Sequence, residues 1–202
     1  MVDSVEDHNG LSTVDPAITA WFVDHRSSAL TVAGKAVSDA GSTTAMGVLA
    51  VLAVAWLAWS RHWPQAGAVA AAALGAAVIG QVMKHVLDRA RPPRIDHLVV
   101  ATSPSLPSGH ALGSIVVLGV LTAVAFGVVR RRVHRAAVAM LIGVIIAAVG
   151  LSRLYLGVHW VTDVLTAWLV GAAWLSVCVT ALAIWARRVR VNDRAQMVVS
   201  GA

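Results

Sequence analysis

Residues 160–185 have the sequence WVTDVLTAWLVGAAWLSVCVTALAIW, in which Asp163 is the only charged residue. An apolar helix needs about 17–25 residues to cross the hydrocarbon core of a bilayer, and a longer one crosses with a tilt. Trp160 and Trp185 stand at the two ends, where amphipathic rings favour the membrane interface. The segment therefore predicts a membrane-spanning helix.

Working outward, the rest of the chain is also unusually apolar. Hydrophobic residues make up 58% of the sequence and charged residues 13%, whereas soluble domains carry about 25% charged residues. An all-α integral membrane protein with a bundle of about five transmembrane helices is therefore expected. The four other predicted spans, the last of them marginal in length, are Thr43–Trp59, Ala66–Met83, Ala111–Val129 and Ala136–Leu151.

The N-terminal segment from Asp15 to Gly41 differs because it mixes charged and apolar residues. A spanning helix with that many charges would be costly, so amphipathic helices lying at the interface are predicted. Asp15 is expected as the N-cap of the first helix, with Pro16 at its first position. The chain is thus divided into an acidic tail with interfacial helices (1–41), a transmembrane domain (42–190) and a flexible C-terminal tail (191–202).

Basic residues indicate the orientation in the membrane. The net charge is +6, but no basic patch interleaved with aromatic residues suggests nucleic-acid binding. One side of the five predicted spans collects nine arginines and is predicted to be cytoplasmic. The N-terminal segment and two polar loops then face outside, in a multi-pass protein of the cell membrane. The nine are Arg61, Arg130, Arg131, Arg132, Arg135, Arg187, Arg188, Arg190 and Arg194.

Five cations remain on the predicted outer side, against this trend. They are Lys84, Arg89, Arg91, Arg94 and Arg153. A bound anion would explain why they are kept there. Arg89 and Arg94, together with His85 and His97, are assigned to lipid headgroups or to structural contacts, and Asp88 is expected to pair with a neighbouring arginine.

Two groups of polar residues flank the second and third predicted spans. Lys84 and Arg91 are seven residues apart, which places them on one face of a helix that Pro92 and Pro93 would end. The sequence PSGH at 107–110 comes directly before the third span. Ser108 can cap that helix, whose free N–H groups and positive dipole end then point outward, and Gly109 allows close approach of a ligand.

A third group begins at Ser152 and Arg153 and continues with His159 and Asp163. Four residues separate the histidine from the aspartate, so on a helix the carboxylate reaches an imidazole nitrogen. That contact fixes the tautomer and stabilises the imidazolium. Taken singly, His159 is better explained as an interfacial side chain beside Trp160, and Arg153 as one that extends to the headgroups.

Together the three groups resemble the motifs of the type 2 phosphatidic acid phosphatase superfamily, in its membrane lipid phosphate phosphatase branch. They match K-x6-R-P, P-S-G-H and S-R-x5-H-x3-D in order, from Lys84 to Asp163. The resemblance implies that His159 is the nucleophile, that Asp163 orients it and that His110 is the general acid. It also implies phosphate binding, without metal or cofactor, by Lys84, Arg91, Ser108, Gly109 and Arg153.

The expected activity is metal-independent hydrolysis of a lipid phosphate or polyprenyl (pyro)phosphate at the outer face, through a phosphohistidine. Such a reaction belongs to phospholipid or cell-envelope carrier-lipid metabolism. Two other functions remain open, which are phosphotransfer to an alcohol and a non-catalytic transporter or lipid-binding scaffold. The partners are the lipid substrate and the bilayer, and a homo-oligomer is left open. Many membrane members of this superfamily have one more span ahead of the amphipathic segment.

Overall fold

The computed structural model describes residues 10–127, 129 and 131–200. These described residues form seven α-helices and two short 3-10 helices, at Gly10–Val14 and Arg94–Asp96, and contain no strand. The α-helices are α1 (Asp15–Asp24), α2 (Ser28–Ala40), α3 (Thr43–Trp59), α4 (Trp63–Leu87), α5 (Gly109–Ala125), α6 (Arg132–Tyr155) and α7 (Val161–Ser200).

Each of the five predicted apolar segments forms a helix, from α3 to α7, which confirms the all-α membrane bundle. Within the described residues, three helices are long and apolar enough to cross a bilayer, namely α4, α6 and α7 as far as Val189. The fourth predicted span proves to be a helix of 24 residues rather than a marginal one. Helices α2 and α3 pass the same test as one span bent by 41°, and α5 has 17 residues.

Helix α5 lies at the centre of the bundle, in contact with α3, α4, α6 and α7. Its buried residues include Ala111, Leu112, Val116 and Val120. The outer faces of the surrounding helices are apolar as well, with Leu52 and other large side chains exposed. Helices that are apolar on all sides fit a bilayer rather than water. The contacts and buried residues of α5 make it the core around which the other helices pack.

The N-terminal helices pack against this bundle. Helix α1 begins at Asp15 with Pro16 in its first turn, as predicted, but the N-cap residue is Val14. The prediction that the Asp15 side chain caps its own helix is wrong, because that carboxylate accepts hydrogen bonds from Thr162 instead. Helix α2 is capped by the hydroxyl of Ser27 and packs on α6.

Two junctions bear on the predicted division of the chain. Gly41 ends α2 and Ser42 caps α3, so a break between helices falls at the predicted boundary near residue 41. At the other end, α7 continues through residues 191–200, where a flexible tail was expected. Residues 1–9 of the acidic tail and the last two residues lie outside the described part of the chain.

Candidate active site

The eight predicted site residues meet at one end of the bundle. Six of them line a cavity of about 840 Å³, and these are Lys84, Arg91, Gly109, His110, Arg153 and His159. Ser108 and Asp163 do not line this cavity and are fully buried. The ends of α4 and α6 and the starts of α5 and α7 therefore bring together residues that are far apart in the sequence.

His159 is held by Asp163, although not along a helix as predicted. Helix α7 begins at Val161, so the histidine precedes it and the aspartate occupies its first turn. The Asp163 Oδ2 atom lies 3.3 Å from His159 Nδ1 and accepts a hydrogen bond of 2.9 Å from the backbone N–H of Trp160. Because the Asp163 side chain caps the start of α7 through Trp160 N–H, its carboxylate lies close enough to contact the His159 ring.

The neighbours of His159 determine which ring nitrogen carries the proton. An ionised carboxylate only accepts, so the proton lies on Nδ1, facing Asp163. A guanidinium only donates, and Arg91 Nη1 lies 3.2 Å from Nε2. The Nε2 lone pair therefore points toward Arg91 and the cavity, which is the state that a nucleophile requires.

The protonation state of His159 follows from its burial. The side chain is 2% exposed. Burial lowers the pKa of His159 to about 4, and the hydrogen bond that His159 donates to Asp163 opposes that effect only in part. The imidazole is therefore neutral near pH 7.

Lys84 and Arg91 converge on the same loop, but they do not share a helix. Helix α4 ends at Leu87 because Asp88 adopts a left-handed conformation with φ of 34°, so the prediction of a helix continuing to Pro92 is wrong. The loop that follows turns Arg91 back toward the helix. Lys84 Nζ and Arg91 Nη2 lie 3.1 Å and 3.3 Å from the hydroxyl oxygen of Ser103.

Two buried polar atoms of the predicted phosphate-binding residues have no hydrogen-bond partner within the described chain. Ser108 occupies the N-cap position of α5 but makes no side-chain cap bond, contrary to the prediction, and its Oγ is unpaired. The Nε of Arg153 is unpaired too, while its Nη1 donates to the hydroxyl of Ser38. Buried polar groups in proteins are almost always paired, so both atoms are available to a ligand.

Three residues near Asp163 were not identified as site residues from the sequence. Arg89 Nη1 donates to Asp163 Oδ1 at 2.5 Å, and Arg89 Nη2 lies 2.8 Å from Asp15 Oδ2. Ser105 Oγ donates to Asp163 Oδ2. The structural role expected for Arg89 is confirmed, whereas neither Ser105 nor Asp15 carries a local signal that would place it beside a residue so distant in sequence.

The remaining polar residues near the site make local contacts. His85 and His97 contact the backbone carbonyls of Gln81 and Pro92, and Arg94 is exposed. The pairing predicted for Asp88 is absent from the ion pairs of the described chain. Among all the residues that the structure describes, no group of three or more His, Cys, Asp or Glu residues could hold a metal ion.

The geometry defines a histidine–aspartate pair facing three cations at the end of an apolar helical bundle. A family model described as the PAP2 superfamily matches residues 65–187, which is more than half of the chain. The chain belongs to the PAP2 superfamily, and its apolar helices make it a multi-pass membrane protein.

Two curated relatives have sequences similar to this chain. Phosphatidylglycerophosphatase B of Bacillus subtilis is 38% identical over 98 residues, covering 46% of each chain. Undecaprenyl-diphosphatase of Sulfolobus acidocaldarius is 35% identical over 107 residues, covering 50% of this chain and 47% of its own. The chain thus spans about half the length of the curated relatives it matches.

Two crystal structures have the same fold. The transmembrane PAP2 type phosphatidylglycerolphosphate phosphatase from Bacillus subtilis superposes with a TM-score of 0.75 at 27% identity, covering 88% of both chains. Aquifex aeolicus LpxE superposes with a TM-score of 0.66 at 18% identity, covering 83% of this chain and 95% of its own. The second likeness concerns the fold alone.

Proposed function

We propose that this protein hydrolyses the phosphate or diphosphate group of a membrane lipid through a phosphohistidine, without a metal ion. One observation carries the proposal. His159 directs its unprotonated Nε2 toward Arg91, in a cavity that Lys84 and Arg153 also line. Fixed cations and donors of this kind stabilise the charge that spreads over the equatorial oxygens in phosphoryl transfer.

We assign a residue to each step of the proposed reaction. As the lipid phosphate binds, Arg91, Arg153 and Lys84 hold its oxygens, and the unpaired Oγ of Ser108 and N–H of Gly109 donate to them. His159 Nε2 forms a bond to phosphorus as the bond to the lipid oxygen breaks, and His110 gives that oxygen a proton. His110 then takes a proton from water, whose oxygen attacks phosphorus, so that the N–P bond breaks and phosphate leaves.

The shape of the cavity favours a lipid over a soluble ester. Below the polar residues, its walls are apolar side chains of α3, α4 and α5, such as Met46, Ala77 and Val117. A site that combines polar groups at one end with an apolar slot between spans accommodates a headgroup and its chain together. The names of the two curated relatives, one acting on a phospholipid and the other on an undecaprenyl diphosphate, agree with this substrate class.

The site is proposed to face the outside of the cell membrane. Arg61, Arg131 and Arg187 belong to the opposite end of the bundle, and basic residues favour the cytoplasmic side. An outward site suits the recycling of a carrier lipid or the maturation of a phospholipid. Phosphatidic acid, phosphatidylglycerol phosphate, a polyprenyl diphosphate and a polyprenyl phosphosugar are the candidate substrates.

The test is phosphate release by the detergent-purified protein from these lipids, with a chelator present. His159→Ala is compared with wild type, and His62→Ala, at the opposite end of the bundle, serves as the matched control. We expect metal-independent release from at least one lipid, lost in His159→Ala and kept in the control. Vanadate should inhibit as an analogue of the transition state. Release that survives His159→Ala would reject the mechanism, and transfer of phosphate to an added alcohol would instead support a phosphotransferase.

A second pair of variants tests the lipid chain. Ala77 lines the cavity, whereas Ala71, on the same helix, is exposed and does not. We expect Ala77→Phe to lower kcat/KM for a long-chain lipid phosphate about 10- to 100-fold, because two or three methylene contacts are worth about 0.8 kcal/mol each. Ala71→Phe should have no effect. Equal loss on a water-soluble aryl phosphate would contradict a chain-binding role.

A further inference from the structure

The two N-terminal helices place polar side chains beside the active site, although they lie outside the region that the family model matches. Asp15 of α1 and Ser38 of α2 are each 2% exposed, whereas polar residues of interfacial helices normally face water or headgroups. Each of them contacts a different part of the site.

Asp15 joins α1 to the start of α7. Its Oδ1 accepts a hydrogen bond of 3.0 Å from the backbone N–H of Thr162, and its Oδ2 accepts one of 2.5 Å from the Thr162 hydroxyl. Oδ2 also lies 2.8 Å from Arg89 Nη2. Both carboxylate oxygens are therefore occupied, and the residue acts as a cap for α7 rather than for its own helix.

Arg89 connects Asp15 with the histidine–aspartate pair. Its Nη1 donates to Asp163 Oδ1 at 2.5 Å and to the Thr162 hydroxyl at 2.7 Å. The rigid guanidinium thus bridges two buried carboxylates. With Oδ1 held in this way, Asp163 presents Oδ2 to His159, and that carboxylate cannot rotate without breaking the contact with Arg89.

Ser38 reaches the phosphate-binding side of the site. Its hydroxyl accepts a hydrogen bond from Nη1 of Arg153, which is itself 6% exposed. The contact with Ser38 therefore holds one end of a guanidinium that lines the cavity and whose Nε has no partner in the described chain.

We propose that Asp15 and Ser38 are positioning residues of the active site. Asp15 acts through Arg89 to hold Asp163 and thereby His159, and Ser38 acts by holding Arg153. The inference rests on the proposed function. A merely structural role would anchor the N-terminal helices without any selective effect on turnover or phosphate binding.

The two residues predict different kinetic signatures. Asp15→Asn removes the charge that holds Arg89, so kcat should fall about 10- to 100-fold while KM for the lipid stays within about twofold, since a displacement of about 1 Å costs up to roughly 100-fold. Ser38→Ala should weaken inhibition by inorganic phosphate about tenfold, because the hydrogen bond it removes involves a charged group. The exposed Asp24 provides the control Asp24→Asn, which should match wild type.

A double-mutant cycle shows whether Asp15 acts through Arg89. In the Arg89→Gln background, adding Asp15→Asn should change kcat by less than about twofold. Effects that multiply would overturn the proposal. If Asp15→Asn does not yield folded, monodisperse protein, Asp15→Ser decides, because it keeps an oxygen acceptor for Thr162 N–H. Failure of both variants to fold would make Asp15 a structural residue and reject the positioning role.

The outcomes also separate this inference from the proposed function. Activity that survives His159→Ala would reject the phosphohistidine mechanism itself. Activity that is lost in His159→Ala, with wild-type kcat in Asp15→Asn and wild-type phosphate inhibition in Ser38→Ala, would reject the positioning role alone.

Discussion

At the scale of single residues, the Asp163 carboxylate determines the state of the site. Its Oδ2 faces Ser105 Oγ, Trp160 N–H and His159 Nδ1, and its Oδ1 receives Arg89. All four neighbours act as donors, so an ionised carboxylate is the group that satisfies them together. The proton on His159 Nδ1 is a consequence of this arrangement.

Replacing that carboxylate by an amide tests the argument. In Asp163→Asn, the amide NH2 is itself a donor and replaces one of the two carboxylate oxygens. In one orientation it faces the three donors that now contact Oδ2, and in the other it faces Arg89, so either orientation brings donors together. We expect kcat to fall by roughly 10³- to 10⁴-fold, the scale found when a catalytic histidine loses its aspartate in serine proteases. Initial rates on whichever candidate lipid the wild-type protein hydrolyses provide the measurement, and a loss of less than tenfold would contradict the orienting role.

The protonation of His159 gives a prediction that does not depend on substrate. Its pKa lies near 4 rather than at the ordinary value of 6.5, because burial disfavours the charged form. Stability from this neutral burial is present above pH 6.5 and is lost as the pH falls toward 4. In NMR titrations of histidine-labelled protein, the signal absent from His159→Gln should titrate near pH 4. A midpoint at or above 6.5 would contradict the burial argument.

The motif residues could be predicted from the sequence because their order and residue types are informative in themselves. Arg89, Ser105 and Asp15 could not be assigned in this way. Arg89 lies between two motif cations and resembles a headgroup contact until its partners are known. Ser105 and Asp15 contact Asp163 or Arg89 only because the tertiary fold brings distant segments together, and that information is absent from local spacing.

At the scale of helices, packing depends on small residues opposite aromatic rings. Gly150 of α6 lies against α7, and a Cβ at that position would overlap the Trp168 ring and lie 2.8 Å from Val164 Cγ1. Gly143 of the same helix has open space around it. Close approach of backbones is what associates helices in a membrane, so Gly150 helps to set the position of α7 and of the site at its start.

These two glycines form a matched pair for a stability test. Gly150→Ala should destabilise the protein by about 1–3 kcal/mol, since overpacking forces side chains out of position. Gly143→Ala should leave it unchanged or slightly more stable, because Ala favours helix over Gly. Thermal unfolding in detergent measures both variants. A Gly150→Ala protein as stable as Gly143→Ala would show that the interface can adjust.

Helix positions could be predicted from the apolar runs, whereas helix ends depended on backbone conformation. The bounds of α3 match the prediction because polar residues flank the run on both sides. Helix α4 ends at Leu87, before the prolines that were expected to stop it, because Asp88 adopts a left-handed conformation. Nothing in the residues from Lys84 to Arg91 encodes that turn visibly.

At the scale of the whole molecule, charge is distributed unequally between the two ends of the bundle. The end with the cavity holds Lys84, Arg91 and Arg153, which are partly or fully buried and face a proposed anion. The basic residues at the opposite end follow the loops and the last helix, where Arg61 and Arg132 are exposed. Nine of the chain's 16 Lys and Arg residues nevertheless belong to the opposite end, and the side with more basic residues is favoured as cytoplasmic, so the site's own cations do not argue against the proposed outward orientation.

Cysteine labelling in intact cells tests this orientation. Ile95 lies in the loop near the site and is 92% exposed, and His62, at the opposite end, is exposed as well. The native Cys178 is buried, so it provides little background. A membrane-impermeant maleimide should label Ile95→Cys in intact cells and His62→Cys only after permeabilisation. The reverse pattern would place the site in the cytoplasm, and the substrate would then have to be a lipid of the inner leaflet.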